Sequence, residues 1–168
     1  MTRILPGMTV LVPADATEAY KAVLAAAEIT TPVYIRLGRY ATPVFFGEDY
    51  RFEIGTMPVM RQGADLTILA TGIMTALAQE TDGILAESGC EAAVLNVSTI
   101  KPLDQKSVLD AAVGKKLCVT MEEHWISGGL GSAVAETLAE VPAPPVAPAR
   151  CARPVRTIGY GRRTAGAP

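Results

Sequence analysis

The chain has 168 residues, 49% of them hydrophobic and 19% charged, which is enough apolar surface for one packed domain and part of a second and too much for a disordered chain. Its 15 Lys and Arg against 17 Asp and Glu leave a net charge of −2 and no broad basic face, which argues against a nucleic-acid partner. Cys90, Cys118 and Cys151 are widely spaced and odd in number, so they form neither a disulfide framework nor a zinc-ligand pattern, and a reducing cytoplasm is the expected setting.

In chain order, the opening apolar run breaks at Pro6 and Gly7, too early for a secretion signal, and no segment reaches the roughly 20 apolar residues of a membrane span. No membrane partner is expected. Met8 to Val12 reads as a strand ended by Pro13, followed by a helix capped at Asp15 or Thr17 that runs to about Ala27. Pro32 then opens a second strand, Val33 to Leu37, closed by Gly38. Strand, helix, strand is a βαβ unit with parallel strands. Parallel sheets have both faces covered, so a lone unit of this kind is incomplete and needs completing from outside residues 1–40.

Tyr40 to Phe52 mixes Pro43, Gly47, aromatics and acids and reads as a crossing linker that divides residues 1–50 from 51–168. Beyond it, Leu66 to Ala70, Ala92 to Val97 and Leu117 to Met121 are β-branched apolar runs. Helix-period segments at Ile73 to Ser88, Asp104 to Val113 and Gly131 to Val141 alternate with them. Val155 to Gly159 would supply a fourth strand. The alternation predicts an α/β fold with a mostly parallel open sheet, preceded by the incomplete βαβ unit. Ligands of such sheets sit at the carboxyl ends of the strands, here Thr71 and Gly72, Ser98 and Thr99, and Glu122 to His124.

From Pro142 the chain carries six of its 12 prolines and five arginines, with no acid. Removing those five positives from −2 leaves −7 on residues 1–141. We read this basic strip as a solvated linker rather than a partner-binding arm.

Three clusters carry potential chemistry. Gly128, Gly129 and Gly131 follow a strand and open a helix, the setting in which backbone amides cradle a phosphate. Val134 stands where the dinucleotide fingerprint needs its third glycine, so a tight turn for helix and sheet packing is the favoured reading. Glu122, Glu123 and His124 hold the sole histidine at a strand end, without metal-ligand spacing or a nucleophile motif, and read as interface or loop-ordering residues. Arg36 and Arg39 bracket the end of the second strand, where guanidinium groups either grip a substrate phosphate or carboxylate or form a surface salt bridge.

PGMTVLVPADATE, PVYIRLGR, ADLTILATGIMT, VLNVSTIKPLD and TMEEHWISGGLGSAVAE, in this order and spacing, resemble the C-terminal part of the transketolase family of thiamine diphosphate enzymes. The likeness is to separately encoded C-terminal transketolase subunits and runs from about Leu5 to Gly159. It implies that residues 1–50 are the end of a pyrimidine-binding domain and residues 51–168 a C-terminal α/β domain. It also implies that the catalytic glutamate and the cofactor's diphosphate and magnesium site lie outside this chain, so that no catalytic residue is expected in it. Arg39 matches the family arginine that grips the sugar phosphate, with Arg36 a second candidate. Asp15 and Glu18 match a Pro-Ala-Asp-x-x-Glu segment, for which a helix-capping role is expected. Glu122, Glu123, His124 and the glycine turn match the pattern without an assignable catalytic role. The family's final helix has no counterpart after Gly159, and the Pro-rich run before Val155 is longer than the family's turn.

The resemblance implies a component of a split, thiamine diphosphate-dependent transketolase-like enzyme. It would transfer a ketol group between sugar phosphates as part of a hetero-oligomer. Partner chains would supply the missing pyrimidine-domain half and bind thiamine diphosphate and magnesium, none of which is expected on the isolated chain. A non-catalytic scaffold or regulatory module of the same descent and a nucleotide-binding domain built on the glycine turn are the competing readings.

Overall fold

The computed structural model describes residues 2–125 and 127–150. After a short 3-10 helix, Thr2–Ile4, the elements are β1 (Thr9–Leu11), α1 (Ala16–Ala27), β2 (Val33–Ile35), β3 (Val59–Arg61), β4 (Leu66–Ala70) and α2 (Met74–Glu87). They continue with β5 (Ala92–Asn96), β6 (Thr99–Lys101), α3 (Gln105–Ala112), β7 (Leu117–Glu122), α4 (Leu130–Leu138) and β8 (Val146–Arg150).

The larger sheet has the order β3-β5-β4-β7-β8, with β4 paired in parallel to both β5 and β7, β8 parallel to β7, and only β3 antiparallel. This is the mostly parallel α/β architecture that alternating apolar runs and helical periods predict. Side chains alternate across it, as period-2 geometry requires. Ile68 and Ala70 of β4 join Val94 and Met121 in a cluster with Met74 and Ala78 of α2. Leu69, Leu95 and Cys118 face the other way, into a cluster with Val108 of α3 and Val134 of α4. Helices therefore cover both faces, which is why β4 and β5 are buried along nearly their whole length.

The smaller sheet has the order β2-β1-β6. β1 and β2 are parallel, completing the predicted βαβ unit, and Asp15 caps α1 by accepting the Glu18 N–H at 2.8 Å. β6, from the second half of the chain, pairs antiparallel with β1 and gives the unit a third strand that its own sequence does not contain. Val10 and Val12 then enter the same buried cluster as Leu69 and Val134. The Tyr40 to Phe52 segment has neither helix nor strand, as expected of a crossing segment, and it is tied down: Phe46 stacks on Tyr50 with ring centroids 3.9 Å apart.

Two expectations need correction. The second strand stops at Ile35, not Leu37, although the Arg36 N–H still bonds the Leu11 carbonyl at 2.8 Å. The stretch from Pro142, read as a solvated linker, contributes β8, whose Pro148 is in register with Thr120. Pro148 disguises the strand in sequence, yet a proline is tolerated on a strand that, among the described residues, is paired on one side only. The strand expected at Val155 to Gly159 lies outside the described residues.

Candidate functional site

In an open α/β sheet the binding crevice forms where successive connections leave in opposite directions. Here β4 connects through α2 to β5 on one side, while β7 and β8 build outward on the other, so the crevice lies between the carboxyl ends of β4 and β7. Thr71 and Gly72 end one strand and Glu122 to His124 end the other, as the sequence places them.

Glu122 is buried at the end of β7, and its carboxylate is spent on the turn that follows. Oε2 accepts the Leu130 N–H at 2.7 Å and Oε1 accepts the Gly131 N–H at 2.9 Å. These are the first amides of α4, where a negative charge also meets the positive end of the helix dipole. Gly129 is glycine because a Cβ there would stand 1.9 Å from Glu122 Oε2. Gly128 has φ +82°, a left-handed conformation that favours glycine. The turn does hold an anion at a helix N-terminus, and the anion is the protein's own carboxylate. This weighs against the nucleotide reading: the Leu130 and Gly131 amides, which would help cradle a phosphate, are already taken. The same fact bears on a diphosphate cofactor, which the described residues do not fit here, and among them no group of three acids, histidines or cysteines is placed to hold a metal.

Arg36 and Arg39 diverge. Arg36 reaches across to the end of β7, donating from Nη2 to the Glu123 carbonyl at 2.6 Å, with Glu123 Oε2 at 3.4 Å. Arg39 is exposed and makes no hydrogen bond or ion pair among the described residues. His124 is exposed, its Nδ1 2.9 Å from the Trp125 carbonyl.

A cavity of about 280 Å³ opens at this crevice. Its walls bring Tyr34 and Arg36 of the small sheet to Thr71, Glu122, His124 and the glycine turn of the large one, over an apolar floor of Val10, Val12, Ile100 and Leu130. Arg3 closes one end. Both its terminal nitrogens bond Glu136, at 2.7 and 2.8 Å, and its Nε donates to the Gly128 carbonyl at 3.3 Å. The bond to Glu136 raises the Arg3 pKa and lowers that of Glu136, so this pair stays ionised. The cavity thus gathers Arg36, Glu122, His124, Gly128 and Gly129, and leaves out Arg39, Glu123 and Gly131.

The residues whose role exceeds the sequence expectation are Asp15 and Glu18. Beyond capping α1, Asp15 accepts the Phe45 and Phe46 amides, each at 2.9 Å, on its second oxygen. Glu18 is fully buried and accepts the Ala14 N–H at 2.7 Å, Asn96 Nδ2 at 2.9 Å and the Tyr50 hydroxyl at 2.9 Å. Asn96 in turn accepts from Thr75. Burial raises the Glu18 pKa against these hydrogen bonds, and burial beside Glu18 also pushes Tyr50 up. A carboxylate among the alanines of α1 is the sequence signal for this network; its partners, 32 and 78 residues away, are not legible locally.

Residues 55–161 match the family model for the transketolase C-terminal domain. The chain is 40% identical over 143 residues to one component of the apulose-4-phosphate transketolase of Phocaeicola vulgatus, covering 84% of this chain and 46% of that one. It is 41% identical over 157 residues to the 6-deoxy-6-sulfo-D-fructose transketolase subunit SqwH of a Clostridium species, covering 94% and 46%. A split gene transketolase solved as an inactive beta4 tetramer superimposes with a TM-score of 0.86 at 46% identity, over 89% of this chain and 50% of that one. The chain spans about half the length of each of these three relatives.

Proposed function

The chain belongs to the transketolase C-terminal domain family, and on that premise we propose that it is the C-terminal component of a split, thiamine diphosphate-dependent transketolase-like enzyme. In this reading it takes part in moving a ketol group between sugar phosphates, and partner chains complete the active site. Thiamine diphosphate and magnesium belong to those partners. The observation that carries the proposal is the open flank of the small sheet. Among the described residues β2 is an edge strand of that sheet, and α1 turns Glu18 and Ala22 inward while leaving Tyr20, Val23 and Leu24 more than half exposed. A parallel pair of strands with so much apolar surface uncovered fits a unit that another polypeptide completes. The related split enzyme's inactive beta4 tetramer and the half-length match to the relatives support the same reading.

Arg39 stands at the end of this unit with its guanidinium unspent among the described residues, and we assign it to the substrate's phosphate. A charge-assisted fork contact is worth about 1.5–3 kcal/mol, so Arg39→Ala raises KM for phosphorylated sugars by about 10 to 100 times. Steady-state ketol transfer by the reconstituted complex, with a sugar phosphate and its unphosphorylated analogue, is the test. Equal losses for both substrates remove Arg39 from the site, and full activity of the chain without partners overturns the proposal itself.

A further inference from the structure

We propose that Gly38 is a positioning residue for Arg39: its backbone is seated against a methyl of Ile73, just past the end of β4, and that seat sets where the guanidinium meets a substrate phosphate. The inference rests on the assignment of Arg39 to the phosphate and adds the device that places it. A Cβ at Gly38 would stand 2.7 Å from Ile73 Cγ2, closer than packed carbons approach. Gly38 does not have a positive φ, so its conformation does not itself demand glycine; the space does. Nor does Ile73 step aside freely. Its Cγ2 hangs on a β-branched Cβ with a stiff χ1 at the cap of α2, and the side chain packs against the buried cluster that holds Ile68, Met74 and Met121.

The same turn is keyed to the small sheet a second time. Gly72 approaches Val12 so closely that a Cβ there would lie 3.0 Å from Val12 Cγ1. Residues 72 and 73 therefore touch the small unit at two places, just after β1 and just after β2. The chain is also anchored on both sides of Arg39. Before it, the Arg36 N–H bonds the Leu11 carbonyl at 2.8 Å and Arg36 Nη2 the Glu123 carbonyl at 2.6 Å; after it, the Phe45 and Phe46 amides bond Asp15. Between these anchors Leu37, Arg39 and Tyr40 are exposed, and the seat of Gly38 on Ile73 is the close packing contact adjoining the guanidinium-bearing residue. An added methyl has to push this stretch off Ile73 by about 1 Å to reach ordinary carbon contact. A misplacement of that order at a charge-assisted fork weakens it by about tenfold, and the loss falls on phosphorylated substrates alone.

Ketol transfer to D-ribose 5-phosphate and to D-ribose by the reconstituted complex tests this, with circular dichroism checking that each variant is folded. Gly38→Ala is expected to raise KM for D-ribose 5-phosphate about tenfold more than KM for D-ribose. Ile73→Ala removes the seat without a clash and raises the same ratio by about two- to fivefold. In that background Gly38→Ala has room for its methyl and adds less than about threefold, a rescue that a merely destabilising substitution would not show. In the isolated chain, a nuclear Overhauser contact between the Gly38 α-protons and the Ile73 γ2 methyl is expected. Arg39→Ala separates the two levels. If it loses both sugars equally, or the wild-type complex transfers nothing to D-ribose 5-phosphate, the assignment of Arg39 fails and the inference goes with it. If Arg39→Ala is selective for the phosphorylated sugar, the role of Gly38 alone is overturned by any of three results: equal or no losses in folded Gly38→Ala, an undiminished effect of it in the Ile73→Ala background, or a missing Overhauser contact. Should Gly38→Ala not fold, an unchanged KM for D-ribose 5-phosphate in Ile73→Ala overturns it.

Discussion

Gly129 and the Glu122 carboxylate compete for one space, and the helix start depends on which fills it. Gly129→Ala drives its Cβ into Glu122 Oε2, displacing the carboxylate from the Leu130 and Gly131 amides. The expected cost is about 2–4 kcal/mol by urea unfolding, because a clash and two lost charge-assisted bonds combine. In a Glu122→Ala background the clash is gone, and the same substitution costs less than about 1 kcal/mol. Equal costs in both backgrounds would show that the carboxylate does not impose the glycine. Glu18 gives a pH signature instead. Burial raises its pKa above the ordinary 4.5, so the folded chain holds this proton more tightly than the unfolded one. That contribution to stability is fully present below the unfolded pKa and is lost as pH rises through the folded one. Wild type therefore loses stability relative to Glu18→Gln as pH rises from about 4 to 7, measured by denaturant unfolding of both. A difference that moves the other way with pH contradicts the assignment of the raised pKa to Glu18.

At the scale of elements, α1 is fastened at its start. Asp15 caps the helix with one oxygen and binds Phe45 and Phe46 with the other, so Asp15→Ala removes a cap and frees the crossing segment together. A loss of about 2–3 kcal/mol is expected, more than a cap alone contributes, with faster exchange of the Phe45 and Phe46 amides. A loss of under about 1 kcal/mol with those amides unchanged would show that the crossing segment is held by something else. The Asp15 cap was legible in sequence, because an acid precedes a helical period; its second oxygen was not, because its donors lie 30 and 31 residues on. The same distinction separates the strands. β4, β5 and β7 are buried on both faces and read as apolar runs, whereas β3 and β6 are three residues long and owe their form to partners elsewhere in the chain. β8 carries a proline that local propensity counts against a strand. The candidate site divides likewise. Thr71, Glu122 and His124 line the cavity from the strand ends named in the sequence analysis, whereas of the two guanidinium groups bracketing the second strand only Arg36 lines it.

For the whole molecule, the order of elements and the family match agree on a transketolase C-terminal α/β domain, and the apolar flank of the small sheet is the surface that the proposed partner chain would cover. Residues 1–141 carry a net charge of −7 and the remainder five arginines, so association with a partner is expected to depend on ionic strength. The central claim concerns the cofactor: Glu122 fills the glycine turn, and the proposal places the diphosphate and its metal on a partner chain. Isothermal titration of the isolated chain with thiamine diphosphate and magnesium tests this most directly. The account predicts no saturable heat from the chain alone, and saturable micromolar binding by the isolated chain would contradict it.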